Sequence, residues 1–337
     1  MTNFKKFTSI EKFSDAAIMA QRQMRPSIFY RTKVKLHGTN AGVKITPDGD
    51  DTFQKRTDNI TPGSDNAGFA AWASTKPWAE NFKKNDRVAN IWGEWAGPGV
   101  QKGDAISSID SKRFFIFGIE VFNVDGNNDT DSYMIACPDM IGEYIGEMRN
   151  DTDVVILPWN DEPHKVKFFG DEDAVTSHEY AEYLNSLIEK MEVRDDFVYI
   201  NYGVDMPGEG YVAYPFENEN DKIIERSMFG SYVFKVKTEA HTSAKTKGAK
   251  VAVVIPASVI DFANDFVTEA RMEQMVREHC DNEYSMKRIP DFLRALVADI
   301  EKESVNEREN GNITMKDASK PINQKALAWF KSKVDLL

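Results

Sequence analysis

The chain has 337 residues, 41% hydrophobic and 28% charged, which points to a globular protein long enough for about two domains with real cores. No apolar run reaches the roughly 20 residues that span a bilayer. A net charge of −12 argues against a field that attracts nucleic acid over the whole surface.

Taken in chain order, residues 4–13 lack the apolar core of a secretory signal, and Glu11 and Asp15 count against a transit peptide. The protein is therefore expected to stay in the compartment where it is made. Residues 28–35 alternate as a strand, and 41–45 follow as a second strand after a turn at Gly38-Thr39-Asn40. The dense aromatic and β-branched run from Phe114 to Phe122 predicts a buried strand, and helix is predicted around Met140 to Met148 and from His178 to Met191. Two more strands are predicted at 211–214 and 232–237. From Ala240 to Lys250 the chain is small, polar and basic, which reads as a linker.

Beyond Pro256 the pattern turns helical. Ser258 with Asp261 suggests an N-terminal cap, and Ile260, Ala263, Phe266, Val267 and Ala270 follow at helical spacing. Pro290 marks the start of another helix, and Pro321 is expected to precede the last one. The whole reads as an α+β protein, with a mixed domain over 1–243 and a small all-helical domain over 244–337.

Two cysteines, Cys137 and Cys280, lie far apart without metal-type spacing, so neither a disulfide scaffold nor a zinc site is expected, and a reducing cytoplasm fits. The five histidines (His37, His164, His178, His241, His279) form no ligand cluster in the sequence. Acidic residues crowd 125–153, whereas Lys235, Lys237, Lys245, Lys247 and Lys250 face only Glu239. Such a stripe can hold a phosphodiester backbone, or can simply be a solvated surface.

The chemistry concentrates in an ordered set of short motifs. Lys35-Leu36-His37-Gly38-Thr39-Asn40 puts an amine at a strand end before a glycine turn, where a ligand can approach the backbone. Lys55-Arg56 follows as a basic pair, then the glycine-rich Gly93-Glu94-Trp95-Ala96-Gly97-Pro98-Gly99-Val100-Gln101-Lys102. The strand holding Phe117 offers an aromatic able to stack on a base. Glu209-Gly210-Tyr211-Val212 sets an acid at a strand mouth, and Lys235-Val236-Lys237 puts two amines on one strand face.

In this order the set resembles the covalent nucleotidyltransferases, the ATP-dependent ligases and mRNA capping enzymes. His37 before the glycine, with the Gly93–Lys102 string, resembles the RNA ligase 2 group of T4-type bacteriophages and the trypanosome RNA-editing ligases. The motifs that carry the resemblance run from Phe4 to about Lys247. It implies an ATP-grasp-like nucleotidyltransferase domain of mixed antiparallel sheets and helices, acting in a phage-infected bacterial cytoplasm, with RNA as partner and a monomer sufficient.

By the family pattern Lys35 takes AMP from ATP as a phosphoramidate, Phe117 stacks on adenine, and the main chain at Leu36 reads its edge. Glu94 and Arg56 hold the ribose, Asn40 and Lys55 serve nucleotide and phosphate contacts, and His37 assists pyrophosphate release. Lys235 and Lys237 lower the pKa of Lys35 and stabilise α-phosphate charge. Glu209 stands near magnesium. The chain departs from the family at Gly118, where an Asp is common and Glu120 is the nearest substitute. It departs again at Ala213-Tyr214, which lacks a lysine, and at Phe7, which lacks a hydroxyl. A DNA ligase or GTP-using capping enzyme is the near alternative, and a non-catalytic RNA-binding protein is the alternative of another class.

Overall fold

A computed structural model describes residues 4, 6–83, 86–122, 132–171, 173–241, 257–305, 308 and 313–334. The linker expected from Ala240 to Lys250, with the domain boundary after 243 and Lys245, Lys247 and Lys250, lies almost wholly outside the described residues, as does much of the acidic run after 125. The architecture is α+β. It divides into two compact units, Met1–Lys167 with Asp171–Val254, and Phe168–Gly170 with Ile255–Leu337. Among the described residues, no helix is long and apolar enough to cross a membrane.

The first unit is built on two sheets. One contains β1 (Ser27–Lys35), β9 (His164–Lys167), β10 (Val175–Thr176), β11 (Gly210–Phe216) and β13 (Phe234–Lys237), in the order β10-β9-β1-β11-β13. Alternation along β1 sends Ile28 and Tyr30 into the core. The Tyr30 ring meets Tyr180 of α5 (Ser177–Val193) at 5.8 Å and Phe234 at 5.1 Å. Phe13 of α1 (Phe13–Arg22) closes the same cluster, 4.9 Å from Phe234. This helix-covered face leaves the odd-numbered residues 31, 33 and 35 on the other side.

The second sheet contains β2 (Thr39–Ile45), β3 (Asp51–Lys55), β4 (Asp58–Ile60), β5 (Val88–Ala96), β6 (Arg113–Phe122), β7 (Tyr133–Ile135), β8 (Val154–Ile156) and β12 (Ile223–Glu225). The order is β12-β7-β6-β5-β2-β3-β4, with β8 beside β6. Its apolar face carries Val43, Ile91, Phe114, Ile116, Ile119 and Val121. These pack with α2 (Phe69–Ala73), α3 (Trp78–Asn81) and α4 (Pro138–Ile145) through Phe69, Trp78, Ile141 and Ile145. Two further helices, α6 (Asp196–Tyr202) and α7 (Arg226–Tyr232), flank β11 in sequence.

The second unit contains α8 (Ala257–Phe266), α9 (Glu269–His279), α10 (Ile289–Glu303) and α11 (Met315–Val334). Its core joins Phe262, Met275, Phe292, Leu296, Ile322 and Phe330, with the Phe292 and Phe330 rings 4.7 Å apart.

Four boundaries differ from the sequence expectation. Thr39 and Asn40 already belong to β2, so the turn is shorter than expected. Tyr232 ends α7 and only Phe234–Lys237 is strand, because α7 runs into β13 through the single extended residue Val233. The helix expected from Ser258 through Ala270 breaks at Val267-Thr268. Ser258 lies inside α8, and Thr268 starts a new helix by accepting the Arg271 N–H at 3.3 Å. Pro321 sits inside α11 rather than before it. Thr314 accepts the Asp317 N–H at 3.2 Å and starts the helix earlier. Burial of Ala318, Ile322, Ala326 and Phe330 at four-residue spacing offsets the roughly 3 kcal/mol that an internal proline costs.

Candidate active site

Strand register brings three distant motifs into one row. Lys35 on β1 lies opposite Gly210 on β11, and Gly210 lies opposite Lys237 on β13. The neighbouring row is Lys33, Val212 and Lys235. Gly210 is required here: its φ is +148°, and a Cβ would fall 2.1 Å from the Val236 carbonyl oxygen. Glu209 is buried beside this row and clasps both amines. Lys35 Nζ donates to its Oε2 at 2.8 Å, and Lys237 Nζ lies 2.6 Å from its Oε1. Burial pushes the Glu209 carboxyl upward, but the two ammonium groups outweigh that and hold it below the ordinary range. Burial, with Lys237 and Lys35 adding like charge, lowers Lys235, whose Nζ donates to the Ile10 carbonyl.

Lys35, Lys235 and Lys237 face a cleft of about 440 Å³ that draws on both sheets of the first unit; Glu209 and His37 are not among its lining residues. Lys35, Leu36, Asn40, Lys55, Arg56, Glu94, Phe117, Lys235 and Lys237 all line it. Glu94 Oε1 accepts the Gly38 N–H at 3.0 Å and so ties the turn after β1 to β5. A Cβ at Gly38 would meet the Trp95 carbonyl oxygen at 2.4 Å, which explains the glycine in that motif. Burial raises the Glu94 carboxyl to about 7, with Lys35 opposing and Glu209 reinforcing the shift. Asn40 Oδ1 is buried without a hydrogen-bond partner among the described residues. Arg56 donates to Ser9 Oγ at 3.3 Å.

Phe117 reaches the cleft because β6 is irregular. Trp92 pairs with Gly118 and Gly93 with Ile116, so Phe117 has no partner on β5. Such a bulge re-aims one side chain, and Phe117 is half-buried in a strand whose neighbouring residues are buried. Lys33, fully enclosed, donates from Nζ to the Phe117 carbonyl at 3.1 Å and lies 4.7 Å from the Trp159 ring centroid. Burial lowers the Lys33 amine to about 7. Neither Lys33 nor Trp159 was marked by a motif. Phe7 packs its ring 5.3 Å from Phe117 and 5.1 Å from Trp92. Glu120 is not a cleft residue: it is fully buried, accepts from Trp92 Nε1 at 3.1 Å and pairs with Arg226 Nε at 2.9 Å.

The reading that the histidines form no cluster is corrected. His37 and His241 come together on Asp104, with ligand-type atoms all within 4.8 Å of one another. Sequence spacing could not reveal this, because 204 positions separate the two histidines and only the folded strands close that gap.

No protein-family model matches the chain, and no curated protein does. Solved structures do match. A mutant of a Naegleria gruberi RNA ligase with AMP and Mn aligns at TM-score 0.42 and 16% identity, over 71% of this chain and 57% of its own. A mutant of that ligase with ATP and Mn gives 0.41 and 15%, over 72% and 59%. The ligase with PPi gives 0.41 and 15%, over 71% and 57%. The chain thus spans less than two thirds of the length of each.

Proposed function

We propose that the protein is an ATP-dependent RNA ligase that seals 3′-hydroxyl/5′-phosphate breaks, with nicks in duplex RNA as the preferred substrate. Residues 1–243 carry nucleotidyl transfer, and a helical domain over 244–337 helps to engage RNA. The carrying observation is the Lys35–Glu209–Lys237 clasp facing a cleft that also holds Glu94, Asn40, Lys55, Arg56 and Phe117. Lys35 Nζ attacks the α-phosphorus of ATP; the N–P bond forms as the bond to pyrophosphate breaks. AMP then passes to an RNA 5′-phosphate, and a 3′-hydroxyl displaces it.

The remaining roles follow from chemistry and position. Phe117 stacks on adenine, the Leu36 main chain reads its edge, and Glu94 with Arg56 holds the ribose. The unpartnered Asn40 Oδ1 suits a donor on the nucleotide. Lys55, Lys235 and Lys237 take phosphate charge, and His37 serves pyrophosphate release. A magnesium ion accompanying ATP would supply neutralisation of phosphate charge. Both Glu209 oxygens are engaged by ammonium groups, so Glu209 fits a magnesium held through water better than a direct ligand.

The test is incubation with magnesium and α-labelled ATP, after stripping any bound AMP with pyrophosphate. Label that survives denaturation and vanishes in Lys35→Ala supports the covalent step; RNA and DNA nicks then separate the substrates. Label from GTP alone moves the protein to the capping class. A stripped chain that takes no label but still binds RNA is the non-catalytic alternative.

A further inference from the structure

From the His37–Asp104–His241 cluster we infer a binding site for one divalent transition-metal ion of the zinc class, separate from any magnesium that accompanies ATP. The three donor atoms are His37 Nδ1, Asp104 Oδ2 and His241 Nε2. Their separations are 2.9 Å from His37 to Asp104, 3.3 Å between the imidazoles, and 3.5 Å from His241 to Asp104. Metal–ligand bonds of about 2.0–2.1 Å in tetrahedral geometry put neighbouring donors about 3.3 Å apart. The triangle already has that size.

The hydrogen bonds around the cluster aim lone pairs inward. Thr238 Oγ1 donates toward the Gly208 and Glu209 carbonyls, so at 3.0 Å it accepts the N–H of His241 Nδ1. Neutral His241 therefore presents a bare Nε2 to the carboxylate. Asp104, only 1% exposed, uses Oδ1 to accept the Ser107 N–H at 3.2 Å and leaves Oδ2 facing both histidines. One proton on His37 Nδ1 can satisfy Asp104 or His241, not both; a cation satisfies all three donors. The contact from His241 to Thr238 is the outer-shell bond that metal-bound imidazoles need.

The donor set selects the metal. Two imidazoles and one carboxylate suit zinc, cobalt or manganese, whereas magnesium prefers oxygen and keeps its waters. Three protein ligands leave a fourth position open. Bound there, the ion staples the turn after β1 to the loop after β5 and to the turn after β13. His37 would bind the ion through Nδ1 and keep Nε2 for the pyrophosphate-releasing role proposed above. The site would stand whether or not Lys35 carries AMP.

The 337-residue chain, stripped with chelator and without ATP, is titrated with Co²⁺ as a coloured probe and then with Zn²⁺ in competition. One Co²⁺ per chain is expected, displaced by Zn²⁺ and not by millimolar Mg²⁺. His241→Ala, checked for folding by circular dichroism, is expected to weaken Zn²⁺ binding about 100-fold or more, since losing an outer-shell partner alone costs about 10–100-fold. Zinc-edge X-ray absorption on the loaded wild type needs no variant and should read two imidazoles in the first shell. Absence of stoichiometric binding, unchanged affinity in folded His241→Ala, or a shell without two imidazoles would overturn the site.

Discussion

Lys33 is enclosed two residues before Lys35, with its amine on the Phe117 carbonyl and against the Trp159 ring. Burial sets its folded pKa at about 7, against 10.5 when exposed. Between those values the unfolded chain binds more protons at this residue, so its effect on stability grows more favourable as pH rises from about 7 to 10.5. Urea denaturation across that window should show a flatter pH slope in Lys33→Met. Glu209 gives the same sign of slope in a more acidic window, through a favourable charge rather than a relieved penalty. Its carboxyl is held below the ordinary range, so the stability it contributes is present above that range and lost as pH falls through the depressed value. Glu209→Gln leaves two ammonium groups without their partner. The expected loss, read by denaturation at pH 7, lies near the lower end of roughly 3–5 kcal/mol, because both lysines keep some access to solvent.

The element that matters most for the cleft is the bulge in β6. It shifts the apolar face from Phe114 and Ile116 to Ile119 and Val121, and leaves Phe117 without a β5 partner. In the ligase reading, Phe117→Ala forfeits stacking worth about 1–3 kcal/mol, a roughly 5- to 150-fold weaker affinity for ATP. Equilibrium ATP binding measures this. The bulge also accounts for Lys33, whose amine takes the Phe117 carbonyl. In the helical unit, α8 and α9 are separated at Val267-Thr268 because the Thr268 side chain offers a new cap. Hydrophobic spacing alone runs through that point.

On the scale of the molecule, the two units are stabilised by separate cores. Phe292 is fully buried among Leu296, Phe330 and Trp329. Phe292→Ala should cost about 3–5 kcal/mol of the second unit's stability, read by urea denaturation. The first unit needs both of its sheets to make the cleft: one supplies Lys35, Lys235 and Lys237, the other Asn40, Lys55, Glu94 and Phe117. A net charge of −12 is compatible with this cleft, because Lys35, Lys55, Arg56, Lys235 and Lys237 line it against one lining acid, Glu94.

Local chemistry was legible in the residues themselves. Alternation marked β1, a dense aromatic and β-branched run marked β6, proline marked the start of α10, and the order of short motifs singled out nine residues that now line one cleft. Those signals act over a few positions, through side-chain period, turn geometry and amine or carboxylate chemistry. Tertiary structure decided what depends on register and burial. It joined Lys35, Glu209 and Lys237, set the Phe117 bulge, enclosed Lys33, and brought His241 to His37 and Asp104. Strand pairing sets such distances between residues far apart in the chain, and burial sets their charge.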